Sequence, residues 1–190
     1  MVVGGGARDE GVGEIVLSEQ EIAARVAELG AELTLDYAGR NPLLVCVLKG
    51  AYSFLTDLAR AIDLPVAVDF IAVESYGSST RTSGVVRLVK DLDQDIAGRN
   101  VILVEDIIDS GLTLRYLRRN LMARSPESLE VAALLARDAT DTAKLGVRYV
   151  GFRVPNDFLV GYGLDVDERY RNLRFLAKYV EPGTGDTPTL

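Results

Sequence analysis

Apolar and polar positions along this chain follow two rhythms. Ile22, Val26 and Leu29 recur at helical spacing behind Ser18 and Glu21, a capping-box pair, which predicts a helix from Ser18 to about Tyr37. Pro42 then opens the continuous apolar run PLLVCVL, of buried-strand type, which ends at Lys49-Gly50. In AYSFLTDLARAI, residues Phe54, Leu55, Leu58 and Ile62 share one face and predict a second helix. PVAVDFIAVES turns to β character through its β-branched residues. YGSSTRTSG, at 76–84, has no large apolar side chain beyond Tyr76 and predicts a mobile loop. VVRLVKDL resumes a strand, DIAGRN turns, and VILVED is the most apolar strand of the set. Leu112 to Ala123 is helical by pattern, and LEVAALLA and RYVGFRV are two further strands.

Apolar strands alternating with helices predict an α/β protein with a central, mostly parallel sheet flanked by helices. With 190 residues and no second zone of composition, the chain fits one domain over 15–180. Gly-rich residues 1–14 read as a flexible leader without a secretory signal, and polar residues 181–190 as a disordered tail. No apolar run approaches the roughly 18 residues of a membrane span. The single cysteine, Cys46, lies inside an apolar strand and suits a reducing cytoplasm. A net charge of −7 argues against a nucleic-acid surface. The absence of histidine changes the picture most, because it removes Ser-His-Asp and Cys-His triads and His-based zinc sites together. Acid–base chemistry falls to carboxylates, Lys or Tyr.

The segment VILVEDIIDSGLTL, 101–114, then stands out. A greasy strand delivers Glu105, Asp106 and Asp109 to its carboxyl end, where open α/β sheets bind ligands. The small residues that follow enter a helix, whose free N–H groups and positive dipole end suit a phosphate. Ser110 and Thr113 add hydroxyl donors. Glu105 and Asp106 cannot ligate phosphate, but they can accept from a vicinal diol or hold a hydrated Mg²⁺. An acid pair alone is most often a solvated turn; the whole string describes a ribose 5-phosphate site.

That string resembles the phosphoribosyl pyrophosphate (PRPP) signature of the type I phosphoribosyltransferases, and VEDIIDSG is similar to its hypoxanthine-guanine branch. VLKGAYSF (47–54), ESYGSSTRTSG (74–84) and VPNDFLVGYGLDVDERYRNL (154–173) resemble the family's pyrophosphate loop, flexible loop and purine-binding hood. The resemblance implies the type I fold, with a small hood built from the N-terminal segment and about 150–180. It implies a cis peptide at Leu48-Lys49. Glu105 and Asp106 would hold the ribose hydroxyls, directly or through Mg²⁺ waters, and Asp109, Ser110, Gly111, Leu112 and Thr113 would cradle the 5′-phosphate. Asp109 would be the general base for the purine, a role that calls for a carboxyl pKa raised by burial. Lys49, Gly50 and Arg171 would bind pyrophosphate oxygens, and Asp165, beside the base, would complete a magnesium shell through water. Phe158 would stack on the purine and the Leu159 backbone would read its edge. Ser75 and Tyr76 would close over the site.

The family's lysine after LEVAALLA, which donates to the purine 6-oxygen, is replaced by Arg137. Arginine still donates to a carbonyl and still rejects adenine, but its fork is not a lysine's point charge. The resemblance thus implies transfer from PRPP to hypoxanthine or guanine, with Mg²⁺ as cofactor and a homodimer or homotetramer as assembly. A xanthine or other nucleobase phosphoribosyltransferase stays open through Arg137, as does a PRPP-binding regulator without catalysis.

Overall fold

The computed structural model describes residues 11–76 and 85–181. Its elements run β1 (Val12–Leu17), α1 (Glu19–Asp36), β2 (Leu43–Leu48), α2 (Tyr52–Ala61), β3 (Ala67–Tyr76), β4 (Val85–Lys90), β5 (Asn100–Ile108), α3 (Leu112–Met122), β6 (Ser128–Arg137), α4 (Thr142–Leu145), β7 (Tyr149–Val154), β8 (Leu159–Val160) and β9 (Leu176–Tyr179). Six strands form the main sheet in the order β4-β3-β2-β5-β6-β7. All pairings within it are parallel except β3 with β4.

The central strands are apolar over most of their length because both faces are covered. In β2, Leu44 and Cys46 enter one core while Leu43, Val45 and Val47 enter the other. In β5, Ile102 and Val104 divide from Val101 and Leu103 in the same way. This is the period-2 alternation of a strand between two helical layers. The first core is roofed by Ile22, Val26, Leu29 and Leu33 of α1 and by Phe54, Leu55 and Leu58 of α2. The second is closed by Leu114, Leu117 and Leu121 of α3. Helix α1 starts as expected: the Glu21 amide donates to Ser18 Oγ at 3.2 Å and the Ser18 amide to Glu21 Oε2 at 2.8 Å.

The chain therefore leaves β2 toward one face and β5, its neighbour, toward the other. That divergence opens a crevice beyond their carboxyl ends, where a doubly wound sheet binds its ligand.

A three-stranded antiparallel sheet, β1-β9-β8, stands beside the main one. The leader expected over 1–14 is corrected at its end, since Val12–Leu17 is a strand paired with Leu176–Tyr179; residues 1–10 of it lie outside the described residues. The loop expected over 76–84 and the tail over 181–190 lie almost wholly outside the described residues. Among the described residues no helix is long and apolar enough to cross a membrane.

Candidate active site

The turn after β2 and the end of β5 meet at close range. The Leu48-Lys49 peptide is cis. At Gly50 a Cβ atom would fall on the Asp106 carboxylate, so only glycine lets the two segments approach this closely. Asp106 lies within β5, which continues to Ile108. Glu105 is only 5% exposed. Both acids are thus strand residues, pressed into the sheet end.

Burial raises the Glu105 carboxyl well above its ordinary 4.5, and the Asp106 charge adds to the rise. Asp106 is raised too, chiefly by burial, while the Ile107 amide, its own amide and the Arg171 charge pull the other way. The sign of the linkage follows. A carboxyl whose folded pKa exceeds its unfolded one favours the folded state below the unfolded pKa, and that contribution is lost as pH climbs through the folded pKa. In metal-free buffer, Glu105→Gln should match wild type in Tm near pH 4 and gain on it progressively toward pH 7, because glutamine has no proton to lose. Melts from pH 4 to 8 in EDTA check this, and a constant gap would show that Glu105 does not titrate between those limits. Cys46, beneath these acids, has its thiol pushed up to about 12 by burial and is no nucleophile.

Beyond β5 the chain turns at Gly111, whose φ of 73° is left-handed, and enters α3 without a side-chain cap at that position. The helix's first amides face the crevice mouth with only one long contact, Leu112 N to Ser110 Oγ at 3.4 Å. Such an N-terminus suits an anion. Ser110 and Leu112 are exposed and Thr113 is half-buried. Asp109 is 71% exposed on its side chain, its carboxylate 3.8 Å from Arg137 Nε. Thr140 Oγ1 donates to the Asp109 carbonyl at 2.7 Å and steadies the loop. The burial expected of Asp109 is not found in the protein itself; at this strand end the buried carboxylate is Glu105, with Asp106 half-buried beside it.

Arg137 closes β6 and anchors the segment after β7, donating from Nη1 to the carbonyls of Pro155 at 2.6 Å and Asp157 at 2.9 Å. Its buried Nε has no hydrogen-bond partner. Leu159 is buried in β8, whereas Phe158 is 58% exposed and meets Tyr179 edge-on at 5.8 Å. Ser75 and Tyr76 end β3, opposite Val86 and Val85 of β4.

The 161–171 segment folds back over the β2 turn. At Gly163 a Cβ would collide with the Gly50 carbonyl. Arg171 donates from Nη1 to the Gly163 carbonyl at 2.8 Å and pairs through Nη2 with Asp165 at 2.8 Å. Lys49 Nζ reaches Glu168 at 3.0 Å. Sequence reasoning missed Glu168, Thr140 and the positioning role of Gly163; only the Gly-Tyr-Gly spelling at 161–163 hinted at a tight turn.

The donor set suits a hard cation. Glu105, Asp106 and Asp165 offer oxygens only, and the first two gain from a neighbouring positive charge. Among the described residues no three acidic groups converge tightly enough to hold an ion alone. This fits a metal that keeps its waters and takes its remaining oxygens from a substrate.

The family pattern described as a phosphoribosyl transferase domain matches residues 13–167. This chain belongs to the phosphoribosyltransferase family. Within it, the chain is 54% identical over 168 residues to the hypoxanthine-guanine phosphoribosyltransferase of Mycobacterium tuberculosis, covering 85% of this chain and 83% of the relative. It is 46% identical to the Streptococcus thermophilus enzyme of that name, over 88% of this chain and 93% of the relative. The solved hypoxanthine-guanine phosphoribosyltransferase of Bacillus anthracis, with a HEPES molecule in its active site, superposes at a TM-score of 0.84. That match has 43% identity and covers 89% of this chain and 99% of the other.

Proposed function

We propose that this phosphoribosyltransferase moves the 5-phosphoribosyl group of PRPP to N9 of hypoxanthine or guanine, giving IMP or GMP and pyrophosphate. The reading rests chiefly on one observation: the acid pair at 105–106 and the uncapped helix start at Gly111 follow one another at the end of β5, the turn of Lys49 and Gly50 packs against Asp106, and the Arg171 charge acts on that same carboxylate. A ribose 5-phosphate spans the first two, with hydroxyls on Glu105 and Asp106 and phosphate on the amides of Ser110 to Thr113. Pyrophosphate lies toward Lys49, Gly50 and Arg171, whose charges stabilise it as it leaves. Asp109 takes the purine's proton as N9 attacks C1. Phe158 stacks on the base and Leu159 presents its backbone to the base edge. Ser75 and Tyr76 close over the centre so that water does not intercept the ribosyl cation. Glu105, Asp106 and, through water, Asp165 would hold a magnesium ion, which would supply positive charge to offset that of pyrophosphate. The enzyme works in the cytoplasm as a homodimer or homotetramer.

Arg137 is the specificity element. Its Nη1 is committed to the Pro155 and Asp157 carbonyls, which leaves the rest of the guanidinium for the 6-oxo group. Arg137→Lys should alter the ratio of kcat/KM between hypoxanthine, guanine and xanthine by about two- to tenfold, the net range of one ordinary hydrogen bond, since the charge is kept. Unchanged ratios would mean that Arg137 does not face the base. The function itself is tested by a spectrophotometric transfer assay with PRPP and magnesium, offering hypoxanthine, guanine, xanthine and adenine in parallel. Turnover of hypoxanthine or guanine with adenine silent is expected. PRPP binding without turnover of any base would replace the enzyme by a PRPP-binding regulator.

A further inference from the structure

Two cations are assigned above to the leaving pyrophosphate, and in this structure one carboxylate holds both. Glu168 Oε1 lies 3.0 Å from Lys49 Nζ and 3.3 Å from Arg171 Nη2. Its Oε2 accepts from Arg171 Nε at 3.4 Å. Among the described residues Glu168 is the ionic partner of Lys49. The carboxylate is 63% exposed, so packing does not fix it there.

The backbone that presents it is costly. Asp167, Glu168 and Tyr170 have φ of 49°, 61° and 75°, and they account for most of the described non-glycine residues with positive φ. Residues held in left-handed backbone cluster where a site needs them. The turn is pinned by the Glu168 amide, which donates to Asp165 Oδ2 at 2.9 Å, and by the Val166–Arg169 bridge. A strained, pinned turn thus aims a solvent-exposed carboxylate at the two cations meant for a doubly charged leaving group.

We propose that the Glu168 carboxylate stands in for a phosphate of pyrophosphate: it keeps Lys49 and Arg171 in position in the substrate-free protein and competes with pyrophosphate for both. The idea rests on the pyrophosphate role of those two residues proposed above. Binding must break the Glu168 contacts, and release re-forms them, so Glu168 is a positioning residue that weakens product retention without touching the reacting atoms.

The test is calorimetric titration of inorganic pyrophosphate, in magnesium and separately in EDTA, into wild type, Glu168→Gln and Asp167→Asn. Glutamine keeps the side chain's size and the same backbone demand. Asparagine removes an equal charge one residue away and tolerates left-handed φ. Exposed ion pairs are weak, so Glu168→Gln should bind pyrophosphate about two- to fivefold tighter, with the gain shrinking as salt rises. Asp167→Asn should change it less, and IMP should bind all three alike, because its phosphate is assigned to Ser110–Thr113. Equal or weaker pyrophosphate binding by Glu168→Gln overturns the proposal, as does an equal gain in Asp167→Asn, which would mark a general field effect. If wild type binds neither pyrophosphate nor PRPP, the functional reading falls with it; if wild type binds and Glu168→Gln is unchanged, only the stand-in falls.

Discussion

Asp109→Asn should lower kcat by about two to four orders of magnitude, the usual cost of losing a general base, while PRPP binds as before. The chain contains no histidine, so a proton leaving the purine must go to a carboxylate, a lysine, a tyrosine or water. Of the acids at the crevice, Glu105 is buried and Asp106 half-buried at the sheet end, and both have pKa values already raised. They suit hydroxyl contacts better than a proton shuttled to solvent. Asp109 sits on the exposed loop between Glu105 and Asp106, proposed to hold the ribose, and Arg137, proposed to face the purine, with its carboxylate 3.8 Å from that guanidinium. Its backbone is held by Thr140. Asparagine fits the same loop, keeps one oxygen facing Arg137 and loses only the ability to take up a proton. Steady-state kinetics with hypoxanthine, set against PRPP affinity from equilibrium titration, separate the two effects. Wild-type turnover in the variant would remove Asp109 from the proton path. A parallel loss of PRPP affinity would make it a loop-shaping residue instead.

The layers of this molecule were legible in its sequence because burial on both sides leaves a plain mark. The short apolar runs LLVCVL of β2 and VILV of β5, too brief for helices and rich in β-branched residues, mark strands between two helical layers, and the Ser18–Glu21 pair marks the start of α1 to the residue. The hood left no such mark in the pattern, and only the family resemblance implied it. Strand β1 follows a glycine-rich stretch, is only half-buried or exposed along its length, and pairs with β9 through register irregularities. Strand β8 is two residues long. Short strands with one wet face make no periodic signal.

The site divides along the same line. The acids and the glycine-rich turn could be read because a local string contains them all. The Lys49–Glu168–Arg171 cluster joins residues 119 positions apart through a turn whose left-handed backbone no propensity announces. Burial was misassigned for a related reason: whether a carboxylate after a strand is wet depends on how far the strand runs. β5 runs to Ile108, past Glu105 and Asp106 but short of Asp109.

That hidden layer carries the second large effect, at Gly163. Its φ of 103° lies beyond the left-handed region that side-chain-bearing residues visit, and a Cβ there would strike the Gly50 carbonyl. Gly163→Ala therefore meets two costs. The backbone conformation alone is worth roughly 1–3 kcal/mol. The clash adds to it, since Gly50 cannot retreat: its other side is filled by the Asp106 carboxylate. With roughly 2–4 °C per kcal/mol for a domain of this size, Tm should fall by about 5 °C or more. Because the carbonyl that must move belongs to the residue after Lys49, KM for PRPP should rise as well, by about tenfold for a misplaced charged contact. Gly39→Ala separates the two costs. Gly39 has φ of 75° with nothing within 4 Å of a new Cβ, so that variant bears strain without a clash. It should lose a smaller part of the Tm and leave KM for PRPP alone. Thermal melts and PRPP kinetics on both variants decide the matter. If Gly163→Ala were to behave like Gly39→Ala, the hood would yield without moving the β2 turn. The closeness of the two glycines would then be packing that the pyrophosphate site does not depend on.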